Sequence, residues 1–482
     1  MSSDQLAAVL ISLAILIACG HLLGHLCVRL RQPRLIGEIV VGIVLGPFVL
    51  GKIAPALTTG LFGDPGTTKQ ATSTVLGFTY WLGLLLLMFI SGSEARRVLA
   101  SENRKPTGWI LAVGTSIPFI IVLILGSFLS LGQLTGPSSS RSAVVIVLAI
   151  AVAVTSIPVI SRIFFDLGII HTRFASIVLG VAILEDIVLW AALAVATALA
   201  SQSALGEQIA GTVAWHVAAT VAYMAAGLFL APLLVRKMHG ARWNLFEKAT
   251  PVGYAVLVLL VYSAIAVLLD VNAVFAAFLA GFGFVGGFSG SERTKYADTL
   301  DAIGKVAFAV FIPLYFIIVG YQLQFGAGFS PALLLAFLVG SSALRMASVG
   351  IAARLAGFRG LDIVDLAVAL NARGGPGIVL ASVAFEAGII SGSFFTTLVL
   401  TAILTSQFAG VWLGYVLRRG WALLSAEGVV TPIHPLGPVS LGTRSGFGTT
   451  EITDPRGSAH VGDVVREDGR PHSPGRPGAR PR

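Results

Sequence analysis

Charge is what this chain has least of. Of its 482 residues only 11% are Asp, Glu, Lys or Arg, while 56% are hydrophobic. Soluble domains carry about 25% charged residues, so this chain cannot clothe the surface of a water-soluble globule of its size. Cysteine is almost missing. Cys19 and Cys27 both fall in the first apolar run, offer neither a disulfide framework nor a zinc spacing, and read as packing residues. The apolar runs contain no HExxH and no Ser/His/Asp set, which argues against intramembrane catalysis. Gly442 to Gly448 reads Gly-Thr-Arg-Ser-Gly-Phe-Gly, without the spacing or the strand–helix context of a dinucleotide fingerprint. No cofactor is implied.

What the chain does have is apolar runs of about 20 residues, the length that crosses a bilayer. With a mean hydropathy of +0.89 it reads as an all-α polytopic membrane protein. Charged and Gly/Pro-rich breaks divide the runs into thirteen expected spans: 6–28, 35–51, 73–91, 107–131, 143–165, 174–200, 209–235, 250–269, 272–289, 303–322, 331–357, 363–386 and 393–417. The first has no basic segment before it and no small-residue cleavage pattern, so it reads as a span and not as a signal peptide.

Basic residues give the orientation. Alternate loops hold Arg29, Arg31 and Arg34; Arg96, Arg97, Arg104 and Lys105; Arg173; Arg236, Lys237, Arg242 and Lys248; Arg293 and Lys295; Arg359; and Arg418 and Arg419. The opposite loops hold Lys52, Lys69 and Arg141. By the positive-inside rule the rich side is cytoplasmic, so the N-terminus is expected outside and the C-terminus inside. The net charge of +9 is then topogenic and gives no reason to expect a nucleic-acid partner. Residues 418–482 read as a disordered cytoplasmic tail, because the stretch from Gly420 is rich in Gly, Pro, Ser and Arg and has little apolar surface to bury.

Against this background Glu185 and Asp186 stand out, adjacent and in the middle of an apolar run. A carboxylate at the centre of a membrane helix costs roughly 2.5–3.5 kcal/mol on insertion scales and marks an ion or proton pathway by default. Neighbours on a helix project about 100° apart, so the two acids cannot both face one ligand. We assign Asp186 to the cavity and Glu185 to a buried partner, Arg345. Two other spans carry breakers at mid-length: Thr155-Ser156-Ile-Pro158 in the fifth, and Asn371-Ala-Arg373-Gly-Gly-Pro376-Gly in the twelfth. Freed backbone groups survive at membrane depth only inside protein or beside water. If spans 1–6 and 8–13 are two inverted six-helix repeats, these discontinuous helices correspond and cross at the midplane, where the sites of transporters lie. Thr155 and Ser156 offer hard oxygen ligands beside Asp186, and Arg345 and Arg373 lie at a similar depth as charge-compensating groups.

Several runs also resemble the monovalent cation:proton antiporter-2 family of the sodium/proton exchanger superfamily. They include Arg31-Gln-Pro-Arg-Leu-Ile-Gly37-Glu38 through Gly46-Pro47, Leu85 through Glu94, Thr155 through Arg162, Phe275 through Gly281, Ile312 through Gly320, and Ala372-Arg373-Gly374. The resemblance covers about residues 6–417. It implies exchange of a monovalent cation, Na⁺ ahead of K⁺, for protons by alternating access. It also implies a homodimer in the cytoplasmic membrane, with core spans (about 107–200 and 331–417) moving against dimerisation spans (about 6–91 and 250–322) around a linker span at 209–235. The transport carboxylate maps onto Asp186, the first acid of the pair onto Glu185, and its partner onto Arg345. The family's usual aspartate is replaced here by Glu185, which leaves the proton stoichiometry open. A carrier of organic anions on the same scaffold, using the midplane arginines, is the alternative, and a passive cation channel a third reading. Glu38, Glu94 and the lone His216 read as ordinary paired, solvated or packing residues.

Overall fold

The computed structural model describes residues 2–425 except 31, 64–69, 99–103, 138–139, 171, 204–217, 219–221, 224, 240, 242–243, 270, 287–291 and 327. About half of the expected 209–235 span, His216, and residues 426–482 of the expected tail therefore lie outside the described residues. Within them every regular element is a helix, apart from an isolated bridge between Thr135 and Ile390.

In chain order the main elements are α1 (Ser3–Arg29), α2 (Arg34–Leu45) and α3 (Gln70–Val98). A short helix Arg104–Trp109 and a π-type turn Ile110–Thr115 lead into α4 (Ser116–Gly126). Next come α5 (Arg141–Ala153), α6 (Ile157–Asp166), α7 (Arg173–Ser203) and α8 (Ala231–His239). The second part has α9 (Pro251–Leu268) and α10 (Ala273–Gly286), then Glu292–Val306 continuing through a second π-type turn into α11 (Ile312–Gln322). They are followed by α12 (Pro331–Leu355), α13 (Leu361–Ala369), α14 (Gly374–Glu386) and α15 (Gly392–Arg418). Among the described residues ten helical stretches are long and apolar enough to cross a membrane. The protein is an all-helical, multi-pass membrane protein.

Helix starts follow local chemistry. Ser2 and Gln5 form a reciprocal capping box at α1, and the side chains of Ser140, Ser330 and Ser391 accept backbone N–H groups at the starts of α5, α12 and α15, satisfying donors that a helix leaves unpaired. Burial sorts the helices. The most apolar window of α7 is 72% buried and that of the α13–α14 stretch 89%, whereas α1 and α12 reach 22%. The acid-bearing helix and the broken one are thus innermost, and α1 and α12 leave large apolar side chains such as Leu22 and Leu335 exposed.

One group of helices packs backbone against backbone. A Cβ on Gly281 of α10 would lie 1.9 Å from the Phe89 carbonyl oxygen of α3, and one on Gly42 of α2 would lie 1.9 Å from that of Ile317 in α11. Small residues permit this approach in membrane bundles, where van der Waals packing replaces the hydrophobic effect as the force between helices. Gly281→Ala should therefore lower the melting temperature in detergent, at a cost of about 1–3 kcal/mol for overpacking. Gly77→Ala, with nothing within 4 Å of the new methyl, should be neutral or stabilising. Equal melting temperatures for the two variants would contradict the contact.

Packing does not stop at residue 418, where the tail was expected to begin. The chain turns at Gly420, whose φ is 69°, and Leu423 and Leu424 are each 1% exposed. Ser425 donates its N–H and its hydroxyl to Asp362 Oδ1 at 2.9 and 2.7 Å. Truncation after Arg419 should then lower stability by about 3 kcal/mol or more, from two leucines at about 1.5–3 kcal/mol each. Truncation after Ser425 should not, and thermal unfolding of the two shortened chains in detergent decides the matter.

Candidate functional site

Two helix breaks meet at the centre of the bundle. In the fifth expected span, α5 ends at Ala153, Val154 is extended, and α6 starts at Ile157. In the twelfth, α13 ends at Ala369 and α14 starts at Gly374. Both breaks lie just before their prolines, because proline is tolerated in the first turn of a helix and not in its interior. The two segments bond to each other: Ser156 N–H donates to the Ala372 carbonyl at 2.7 Å, and the Thr155 hydroxyl donates to the Leu370 carbonyl at 2.6 Å. From α15, Thr405 and Ser406 accept the N–H groups of Arg373 and Gly374 at 3.4 and 3.0 Å. Gly374 has φ 32°, and a Cβ there would stand 2.6 Å from Ser156 Oγ. The crossing needs glycine.

Arg345, on α12 and fully buried, fastens this crossing to its neighbours. It donates from Nε to the Leu370 carbonyl at 3.3 Å, from Nη1 to the Gly114 carbonyl at 2.8 Å and to Thr115 Oγ1 at 3.4 Å, and from Nη2 to Thr155 Oγ1 at 2.9 Å. Nη2 also makes an ion pair with Glu185 Oε1. Five contacts match the five N–H donors of a guanidinium. Thr115 donates its hydroxyl to the same Glu185 oxygen. Glu185 is thus held by Arg345 and Thr115 and is fully buried.

Asp186, next along α7 and 1% exposed, has no such partner for Oδ1, and Glu185 Oε2 is likewise unpaired. Buried polar atoms are almost always hydrogen-bonded in native proteins, and exceptions point to function, water or ions. The two hydroxyls assigned to cation binding are engaged inside the breaks: Thr155 as above, and Ser156 by accepting Val159 N–H at 3.3 Å. Each oxygen has a second lone pair. Arg373 is buried as well, but Nη1 donates to Ser341 Oγ at 2.7 Å, its guanidinium carbon lies 5.7 Å from the Phe337 ring centroid, and Nε and Nη2 have no partner. It forms no ion pair among the described residues.

Thr115 and Ser341 were not anticipated. A signal for Thr115 exists: Thr115-Ser-Ile-Pro118 repeats Thr155-Ser-Ile-Pro158, and the threonines of both copies bind Arg345. Ser341 has no comparable signature, being one hydroxyl on an apolar helix. Groups of three or more His, Cys, Asp or Glu able to hold a metal ion do not occur among the described residues.

Two broken helices crossing beside a buried acid pair define a transporter of the discontinuous-helix class. The transmembrane model of the sodium/hydrogen exchanger family matches residues 11–419, and the chain belongs to that family, whose members are transporters and not enzymes. It is 25% identical over 411 residues to the Na⁺/H⁺-K⁺ antiporter GerN of Bacillus cereus, covering 84% of this chain and 95% of that one. It is 26% identical over 417 residues to the Na⁺/H⁺ antiporter NhaS4 of Synechocystis, covering 84% and 96%. Its fold is similar to that of the sodium proton antiporter MjNhaP1 from Methanocaldococcus jannaschii, with a TM-score of 0.58 and 15% identity over 86% of this chain and 98% of the other.

Proposed function

We propose that this protein is a secondary antiporter that exchanges a monovalent cation, Na⁺ ahead of K⁺, for protons across the cytoplasmic membrane by alternating access. One observation carries the reading. Of two adjacent buried acids, Glu185 is held by Arg345, while Asp186 keeps an unpaired oxygen on the innermost unbroken helix. A proton or a monovalent cation neutralises that carboxylate equally, so both loaded states tolerate passage through the protein. An empty, ionised Asp186 resists leaving water, since an unpaired buried charge is costly. Exchange then becomes obligatory. With Glu185 fixed in its ion pair, one carboxylate carries one proton or one cation, and turnover is electroneutral.

Thr155, Ser156 and the carbonyl groups of the breaks are the further cation ligands in this reading, and Arg345 and Arg373 the charge-compensating groups. The names of the relatives, antiporters of Na⁺ or K⁺ against protons, support the substrates. The same reading has thirteen spans in two inverted repeats, an external N-terminus, and core spans rocking against dimerisation spans of a homodimer. A carrier of organic anions through the arginines is not favoured, because the relatives are named as cation antiporters and every donor of Arg345 is engaged within the protein, although Arg373 keeps two donors without a partner. The test is proton flux in everted vesicles, scanned over Na⁺, K⁺, Li⁺ and pH with the membrane potential clamped at several values. Flux independent of added cation would refute the exchange, and flux that scales with potential would refute the one-for-one stoichiometry.

A further inference from the structure

A second carboxylate pair lies outside the site described. Asp365, in α13, is completely buried. Its Oδ1 accepts the Trp412 indole N–H at 2.8 Å, and its Oδ2 has no partner. Asp362, three residues earlier and therefore on the same helix face, is 6% exposed and takes both donors of Ser425 on Oδ1. Neither carboxylate forms an ion pair among the described residues. The pair stands at the end of the bundle that carries Arg359, Arg418 and Arg419.

Their position relates them to the crossing. From Asp365 to Leu370 is about 7.5 Å along the helix axis at 1.5 Å per residue, and the Leu370 carbonyl is the one that Thr155 and Arg345 both bind. The C-terminal end of α13 lies between them, and the carbonyl end of a helix attracts cations. Just beyond it Asn371 Oδ1 is another buried oxygen with no partner. A cation entering from the arginine-rich face would meet Asp362, then Asp365, then the helix end and Asn371 before reaching the crossing. Each of these offers oxygen, the hard ligand that alkali cations take.

We propose that Asp365, with Asp362 one turn before it, is a second binding site for the transported monovalent cation, a stop on the cytoplasmic route to Asp186. The proposal rests on the antiporter reading above. Trp412 is then a positioning residue: by holding one oxygen it turns the other inward. The competing account is that Asp365 merely anchors Trp412, tying the first half of the broken helix to α15. Asparagine separates the two accounts, because its carbonyl oxygen still accepts the indole N–H while the charge is gone.

The experiment uses the purified full-length protein, with Na⁺ and then K⁺ alone as the probe. Calorimetry on Asp186→Asn should retain a weak cation-binding isotherm, and Asp186→Asn with Asp365→Asn should lose it at an unchanged melting temperature. In vesicles Asp365→Asn should raise KM for the cation about tenfold at the arginine-rich face and leave KM at the other face unchanged, with kcat retained, as expected when binding shared by the ground and transition states is lost. Trp412→Phe should raise the same KM by less. Complete loss of cation binding in Asp186→Asn alone, or an unchanged KM in Asp365→Asn, would overturn the second site. Wild-type exchange by Asp186→Asn would instead overturn the antiporter reading on which it rests.

Discussion

Asp186→Asn is expected to reduce cation-dependent proton flux to the level of empty vesicles while the purified protein melts no lower than the parent. Asparagine fills the same space but neither takes up nor releases a proton, so neither half of the exchange cycle can be loaded. The carboxylate it replaces is 1% exposed, with one oxygen that has no partner. Removing its charge breaks no ion pair among the described residues, because Arg345 is paired with Glu185. The variant should therefore insert, fold and bind detergent normally, which separates a transport defect from a folding one. Reconstitution at matched protein-to-lipid ratios, with flux read by a pH-sensitive dye on addition of Na⁺ or K⁺, is the measurement. Exchange at a near-parental rate would remove Asp186 from the mechanism.

The position of that residue was legible in the sequence because hydropathy and charge are strong signals when water is excluded. An acid in an apolar run demands a partner, and an arginine in another apolar run at similar depth is the natural one; the pairing of Glu185 with Arg345 is of this kind. The helix breaks could be read from Pro158 and the Gly-Gly-Pro-Gly run, displaced by a few residues because prolines start half-helices more readily than they kink whole ones. What could not be read has no local signature. The long entry into α11, Glu292–Val306, is too polar for a hydropathy window, yet it continues into the span beyond it. The contacts of Arg373 with Ser341 and Phe337 are of this kind, since which side chains surround a buried group is a tertiary outcome. The burial of Leu423 and Leu424 and the bonds of Ser425 to Asp362 come from Trp421-Ala-Leu-Leu424, an apolar run too short to stand out against the tail that follows.

The second large effect concerns the Arg345 network. Removing one partner of a buried ion pair leaves an uncompensated charge and costs about 3–5 kcal/mol, whereas replacing both with neutral groups is often far milder. Arg345→Met should be the more damaging single change. It strands the Glu185 carboxylate and also removes donors from the Gly114 and Leu370 carbonyls, so three spans lose a common tie. Glu185→Gln keeps an acceptor for Thr115 and for Nη2 but leaves the guanidinium charge unbalanced. The double variant should melt well above the temperature that summing the two single losses implies, and thermal unfolding of all four proteins in one detergent measures that coupling. Strict additivity would show that the two residues act separately. Transport adds an independent readout: because Glu185 is held out of the proton cycle, the double variant should still move one proton per cation through Asp186, more slowly if the crossing loosens. A changed proton-to-cation ratio would instead make Glu185 a second carrier of the transported proton, with Arg345 as the charge that it exchanges against.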